Sequence, residues 1–161
     1  MKTKLILSAL AFSLATASAS AAEIKRYSTG SDFPIAAAVE VNGVVYESGK
    51  VPGPKDPNAE RNTRAYWGNT EEQTISVLER IKASLESKGL TMADVVKMTV
   101  FLVGDPELDG KMDFTGFMKG YTKYFGEAAK QPNLPARSAV QIAGLVAEGM
   151  LVEIEVIAIR P

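Results

Sequence analysis

The stretch from residue 151 to residue 159 constrains the fold more than any other part of the chain. Val152, Ile154, Val156 and Ala158 recur at every second position, the period of a β-strand, and make one face wholly apolar. The alternate face carries Leu151, Glu153, Glu155, Ile157 and Ile159, a mixture suited neither to bulk water nor to a core. A second stretch, Val95 to Val103, behaves alike. Val96, Met98, Val100 and Leu102 fall on one side, and Thr99, Phe101 and Val103 on the other. Helices can cover one face of such a sheet, and a solvated second face should be polar throughout. Two strands with half-apolar second faces therefore predict that another subunit covers them.

The remaining elements follow from local signals. Segments 36–41 and 44–48 flank Asn42-Gly43, and both central residues of a type I′ turn need positive φ, which this pair tolerates best. A polar stretch from Lys50 to Asn69, with Pro52, Pro54 and Pro57, reads as a long loop. Asn69 or Thr70 then caps a helix, and Glu72 or Gln73 three residues on completes a capping box. Ile75, Leu78, Ile81 and Leu85 form its apolar stripe, and Gly89 its stop. Glu71, Glu72, Glu79, Arg80, Lys82, Glu86 and Lys88 make its other face, read as solvated. A second helix over about residues 111–125 sets Phe114, Phe117, Met118, Tyr121 and Phe125 at helical spacing, a stripe suited to packing on a sheet. After Pro132 and Pro135 come two strands, about 138–145 and 151–159. With 161 residues, 46% of them hydrophobic, and no repeat or dividing linker, the expectation is one α+β domain with two helices on one face of a sheet.

The first 22 residues stand apart. Lys2 and Lys4 precede an apolar run from Leu5 to about Ala17, and Ser18-Ala19-Ser20-Ala21-Ala22 follows. A basic start, a short apolar run and small residues before the cut describe a secretory signal peptide, too short for a membrane span of about 20 residues. Cleavage before Ala22 or Glu23 implies export, to the periplasm in a bacterium, with no stable membrane association afterwards. Loss of Lys2 and Lys4 from the 18 basic residues, against 19 acidic ones, leaves a mature charge of −3.

The reactive inventory is short. There is no histidine and no cysteine. This excludes a Ser-His-Asp triad, an imidazole base, a thiol nucleophile, disulfides and thiolate metal sites. A pI near 5.6 argues against nucleic acid as a partner, since a phosphate-backbone binder needs a clustered basic excess. Glu153 and Glu155 on a half-apolar, covered face need a partner, because burying an unpaired charge is expensive. The nearest cation in sequence is Arg137, at the start of the adjoining strand after Leu134-Pro135-Ala136. A guanidinium grips a carboxylate with two hydrogen bonds. Spacing alone leaves two readings open: a plain Arg–Glu bridge between strands or subunits, the commoner use of such a pair, or a site for a carboxylate ligand.

Pro135-Ala136-Arg137-Ser138-Ala139-Val140 and Leu151-Val152-Glu153-Ile154-Glu155-Val156-Ile157-Ala158 together resemble the C-terminal signature of the RidA (YjgF/Rid) family. Tyr46-Glu47-Ser48-Gly49-Lys50-Val51-Pro52 resembles its second-strand segment, and Asp94-Val95-Val96-Lys97-Met98-Thr99-Val100-Phe101-Leu102 its central strand. The stripe from Phe114 to Phe125 resembles its second helix, so residues 23–161 read as a RidA-like domain. The resemblance implies a chorismate-mutase-like mixed sheet with two helices on one face, three subunits closing a barrel, and small carboxylates bound in the clefts between subunits. It implies hydrolysis of reactive enamines and imines, such as 2-iminopropanoate and 2-iminobutanoate, to 2-keto acids and ammonia, without a metal or organic cofactor. By the same resemblance Arg137 clamps the substrate carboxylate and Glu153 positions or activates the attacking water. Gly49 lines the pocket, and the backbone at Ala139 lies near the imine nitrogen. An imine carbon is already electrophilic, so orientation, a water and one carboxylate can suffice.

The chain departs from the family pattern at three pocket positions. Ile35 stands where deaminating members often have tyrosine, Met118 where many have asparagine, and Ala139 where cysteine is frequent. The loop from Lys50 to Asn69 is longer than in compact members and carries Tyr66 and Trp67. These changes predict a pocket that is more apolar or differently shaped. Beside the deaminase stand two other readings: a non-catalytic trimer that binds small carboxylates or acts as a chaperone, and a ribonuclease. The missing histidine, the missing basic stripe and export argue against the last.

Overall fold

The computed structural model describes residues 21–161; the expected signal peptide, residues 1–22, lies outside the described residues except for its last two. Six strands form one sheet: β1 Ile24–Ser28, β2 Ala36–Val41, β3 Val44–Glu47, β4 Val95–Val103, β5 Ala136–Ile142 and β6 Val152–Ile159. Their spatial order is β1-β2-β3-β6-β4-β5. All neighbours run antiparallel except β4 and β5. The helices are α1 Arg64–Trp67, α2 Thr70–Glu86 and α3 Phe114–Tyr121. A parallel pair needs a crossover, and α3 supplies it between β4 and β5. The tight hairpin forms as its sequence requires, with φ of 49° at Asn42 and 82° at Gly43. The edge strand β1 was not expected, since Ile24–Ser28 is largely exposed and shows no alternating pattern.

Burial explains the arrangement. Val152, Ile154, Val156 and Ala158 of β6 are buried beneath α2 and α3, together with Met98, Val100 and Leu102 of β4. From α2 come Val77, Leu78, Ile81 and Leu85, and from the other helix Phe117 and Tyr121, with Phe125 just beyond its end. Each such large apolar side chain stabilises the fold by about 2 kcal/mol. Two expected core positions are corrected. Ile75 is only half-buried and Val77 is buried instead, while a register shift between Val95 and Lys97 buries Val95 and leaves Val96 exposed. The capping box closes as Asn69 with Glu72, and Gly89 ends the helix region at a positive φ of 72°. The second helix is shorter than expected because Asp113 caps it, accepting from the Gly116 amide at 2.8 Å.

The opposite face of the sheet carries Thr99, Phe101 and Val103 beside Glu153, Glu155, Ile157 and Ile159. On the same side Tyr46 and Ile159 are 48% and 40% exposed. No helix among the described residues packs there.

The long loop is a built structure. Tyr66 and Trp67 of α1 form a second small core with Met150, and Trp67 Nε1 donates to the Glu148 carbonyl at 2.9 Å. Gln73, fully buried on α2, ties the pieces together. Its amide nitrogen donates to the carbonyls of Gly68 (3.0 Å) and Gly149 (2.9 Å), and its oxygen accepts from the Leu151 amide at 2.7 Å. The solvated-face reading of Lys88 is also corrected. Its side chain is 3% exposed and its ammonium lies 2.8 Å from Glu47 Oε1, because Glu47 follows Val45 at an inward position of β3. Replacing Gln73 with Leu strands three backbone groups, those of Gly68 and Leu151 buried and that of Gly149 partly so. The expected loss is about 3 kcal/mol, read as a lower urea midpoint with an unchanged m-value.

Candidate functional site

Sheet register decides where the two expected site residues lie. Arg137 of β5 pairs with Met98 of β4, and Glu153 of β6 pairs with Phe101 of that same strand. Cross-strand partners share a face. Met98 points to the helices and Phe101 away from them, so Arg137 and Glu153 occupy opposite faces of the sheet. The expectation that their strands adjoin is corrected, since β4 lies between β5 and β6. A plain Arg137–Glu153 bridge within one chain is thereby excluded.

Arg137 sits on aromatic faces. Its guanidinium carbon lies 4.3 Å from the Tyr121 ring centroid, 4.9 Å from that of Phe117 and 5.9 Å from that of Phe114. These rings follow at i, i+3 and i+7 along α3, which stacks them as one cradle beneath the edge strand. One guanidinium nitrogen is buried and has no hydrogen-bond partner among the described residues. A desolvated cation with an unused donor is costly, and a bound anion removes that cost. Ala139, two residues on and so on the same face, is half-buried against the core, as is Met118. Burial raises the Tyr121 hydroxyl above its usual range while Arg137 opposes the shift. That ring therefore stays neutral beside the cation.

Gly49 and Glu153 form a second pair. Tyr46 pairs with Ile157, but Lys50 pairs with Ile154, so the chain after β3 holds one residue more than β6 opposite it. This bulge brings Gly49 onto the Glu153 side chain: a Cβ at Gly49 would coincide with the Glu153 carboxylate. Burial first, and the neighbouring Glu155 second, raise the Glu153 carboxyl above the ordinary carboxylate value. Its ionised form is accordingly the stronger base. Next to Gly49 opens a cleft of about 500 Å³, bordered by Ile35, Ser48, Lys50, Arg80 and Ser84.

The structure thus joins Gly49 to Glu153 and places Arg137 with Ala139, and holds the two pairs apart. The aromatic cradle of Arg137 was missed as a functional feature because its stripe looks like ordinary core. The buried Glu47–Lys88 pair was missed as well, although an acidic residue at an inward strand position was a readable signal. Among the described residues no group of three or more carboxylates is placed to hold a metal ion.

Comparison with known proteins agrees with this architecture. The profile of the family described as endoribonuclease L-PSP matches residues 28–160. A RutC family protein of Pyrococcus abyssi is 35% identical over 127 residues, which are 79% of this chain and 87% of that protein. An Escherichia coli K12 protein with the provisional name reactive intermediate deaminase TdcF is 32% identical over the same length, with the same coverage. The crystal structure of E. coli TdcF with bound serine matches with a TM-score of 0.63 at 29% identity, covering 82% of this chain and 92% of that one. The chain belongs to the endoribonuclease L-PSP family, the family of the RidA (YjgF) proteins.

Proposed function

We propose that this chain is an exported member of the family with a reactive-intermediate deaminase role, hydrolysing 2-imino and enamine acids to 2-keto acids and ammonia. The observation that carries the reading is the buried, unpartnered guanidinium of Arg137 on its aromatic cradle. That group suits a small carboxylate, and a relative of known structure holds serine, which carries one. In this reading the substrate carboxylate lies on Arg137, and its imine nitrogen lies near the backbone at Ala139. Glu153 takes a proton from water as the oxygen adds to the imine carbon and passes it to the nitrogen; it then moves the new hydroxyl proton to that nitrogen as the carbon–nitrogen bond breaks and the carbonyl forms. Ammonia leaves and the 2-keto acid remains. Gly49 leaves room for the carboxylate that does this.

Arg137 and Glu153 lie on opposite faces of one chain, so the complete site needs two chains. The Arg137 edge of one subunit meets the Gly49–Glu153 face of another, and three copies close the barrel. The uncovered apolar side chains of the second face support this assembly. A non-catalytic carboxylate binder shares the Arg137 clamp and draws support from Ile35 at the cleft wall and Met118 on α3, which bring no polar group.

With 2-iminobutanoate or 2-iminopropanoate generated in situ, the mature protein accelerates loss of the imine. Arg137→Ala lowers kcat/KM by about 100-fold, as expected for a lost charge-assisted pair, and Glu153→Gln lowers kcat by at least about 100-fold. Failure to accelerate any imine overturns the enzyme reading in favour of the binder. Each variant alone retains about 1% of activity or less, but mixed refolding of the two restores about a quarter of the wild-type activity, because one in four subunit contacts then joins an intact Arg137 to an intact Glu153. No recovery on mixing places both residues in one chain's site and overturns the shared-site geometry.

The pH profile supplies a further check. Glu153 must be ionised to act, so kcat/KM falls as pH drops through its raised pKa, on an acid limb above 4.5. Glu155→Gln moves that limb downward without abolishing it, since burial is the larger cause. A limb at or below the ordinary carboxylate value removes Glu153 from the role of base.

A further inference from the structure

Behind the floor of the cleft beside Gly49 lies one buried carboxylate with more cations than it needs. Glu47 has a fully buried side chain, and Lys88 approaches its Oε1 at 2.8 Å. Ser84 Oγ donates to Oε2 at 2.8 Å. Lys88 thereby neutralises that charge, and Ser84 hydrogen-bonds one of its two oxygens. Lys50 is an extra cation. Its side chain is only 15% exposed, yet its ammonium makes just two long contacts, 3.4 Å to Glu47 Oε2 and 3.4 Å to the Ala37 carbonyl. Both lie at the far limit of a hydrogen bond, for a group with three donors. Arg80 stands one helical turn before Ser84 and borders the cleft as well. It has no ion-pair or hydrogen-bond partner among the described residues.

Lys88, Lys50 and Arg80 thus stand against two carboxylates, the buried Glu47 and the Glu153 that touches Gly49. No aspartate or glutamate lines the cleft, whose remaining walls include Ile35, Ala37 and Ala83. Apolar walls strengthen such a field by keeping the local dielectric low. A solvated helix face accounts for Arg80 alone, but not for a lysine so nearly buried. Lys50 also follows directly on Gly49, one Cα step of about 3.8 Å from the residue that touches Glu153.

We propose that this cleft takes a second anionic group of the substrate, with Lys50 and Arg80 as its specificity-determining residues, so that the preferred substrate is a short dicarboxylic 2-imino acid. One carboxylate lies on Arg137 and the side-chain carboxylate on Lys50 and Arg80. The chemical step assumed is that of the deaminase reading, whereas the binding claim is independent of it.

Two arms separate these claims. In the first, imines generated in situ from aspartate or glutamate are compared with those from alanine or 2-aminobutanoate. Wild type prefers the dicarboxylic imine by at least about tenfold in kcat/KM; Lys50→Gln reduces that ratio by about tenfold, and Arg80→Gln, at an exposed site, by about threefold. In the second, binding of 2-oxoglutarate and 2-oxobutanoate is titrated by NMR, with no turnover required. Wild type binds the dicarboxylate more tightly and with a steeper salt dependence, and both variants narrow the gap. Equal binding of the two acids overturns the proposal even when imines are hydrolysed. Preferential dicarboxylate binding without hydrolysis of any imine upholds the cleft's ligand and overturns the deaminase reading. Lys50 touches Glu47, so its variant can weaken the fold. The Arg80 side chain has no bonding partner among the described residues, so an unchanged preference in a folded Arg80→Gln protein also counts against the proposal.

Discussion

The rest of the molecule depends on the two-residue period of β6 and on its place between β3 and β4. Burying Val152, Ile154, Val156 and Ala158 under the helices commits Glu153 and Glu155 to the other face. A slip of one residue would turn four apolar side chains outward, at about 2 kcal/mol each, so no local preference of the two glutamates can reverse the choice. The same ladder fixes Arg137 through Met98 to the helix side. The separation of Arg137 from Glu153 is thus a consequence of core packing. It is also what makes a subunit contact chemically necessary in the proposed mechanism.

The two charges receive opposite treatment on their two faces. Arg137 is stripped of water by aromatic rings, which attract a cation without supplying hydrogen-bond acceptors. Its donors stay available to a planar anion. Glu153 is half-buried beside another carboxylate, with no cation paired to it among the described residues, and its proton affinity rises. A clamp must stay charged and directional, and a base must hold a proton more tightly than an ordinary carboxylate does. Each environment suits the role proposed for it: the rings of α3 set that of the arginine, and burial first and Glu155 second set that of the glutamate.

Much of this was legible in the chain. Period-two patterning located β4 and β6 and their half-apolar second faces, Asn42-Gly43 located the hairpin, and the Asn69–Glu72 box and Gly89 bounded α2. These signals are local and dictated by backbone geometry. Strand order was not legible, because pairing of β5 with β4 rather than β6 depends on the crossover through α3, a relation between segments far apart in sequence. The register shift near Val96 and the bulge at Gly49 were hidden for a similar reason: one extra residue leaves the alternation almost intact while moving a side chain to the other face. The Arg137–Glu153 pair was named on the family resemblance, and its strands were joined wrongly on spacing. Lys88 was misplaced because a charged residue at a helical position was assigned to water without asking what lay opposite it.

That last error bears on substrate choice. By the family resemblance Ile35 and Met118 stand where polar pocket groups are usual, and taken alone they argue for an apolar substrate. The structure puts a compensating charge where the family pattern gave no reason to look, because Glu47 faces inward and gathers Lys88 and Lys50 on its two oxygens. A carboxylate buried with one cation would be a structural pair and nothing more. With a second cation held at 3.4 Å, and Arg80 free at the rim, the same carboxylate becomes an anchor that carries a lysine to the edge of the cleft. Apolar walls and surplus positive charge are not in conflict there. The two cations supply the attraction for a second carboxylate over a neutral side chain of similar length, and the apolar walls beside them reduce its screening relative to bulk water.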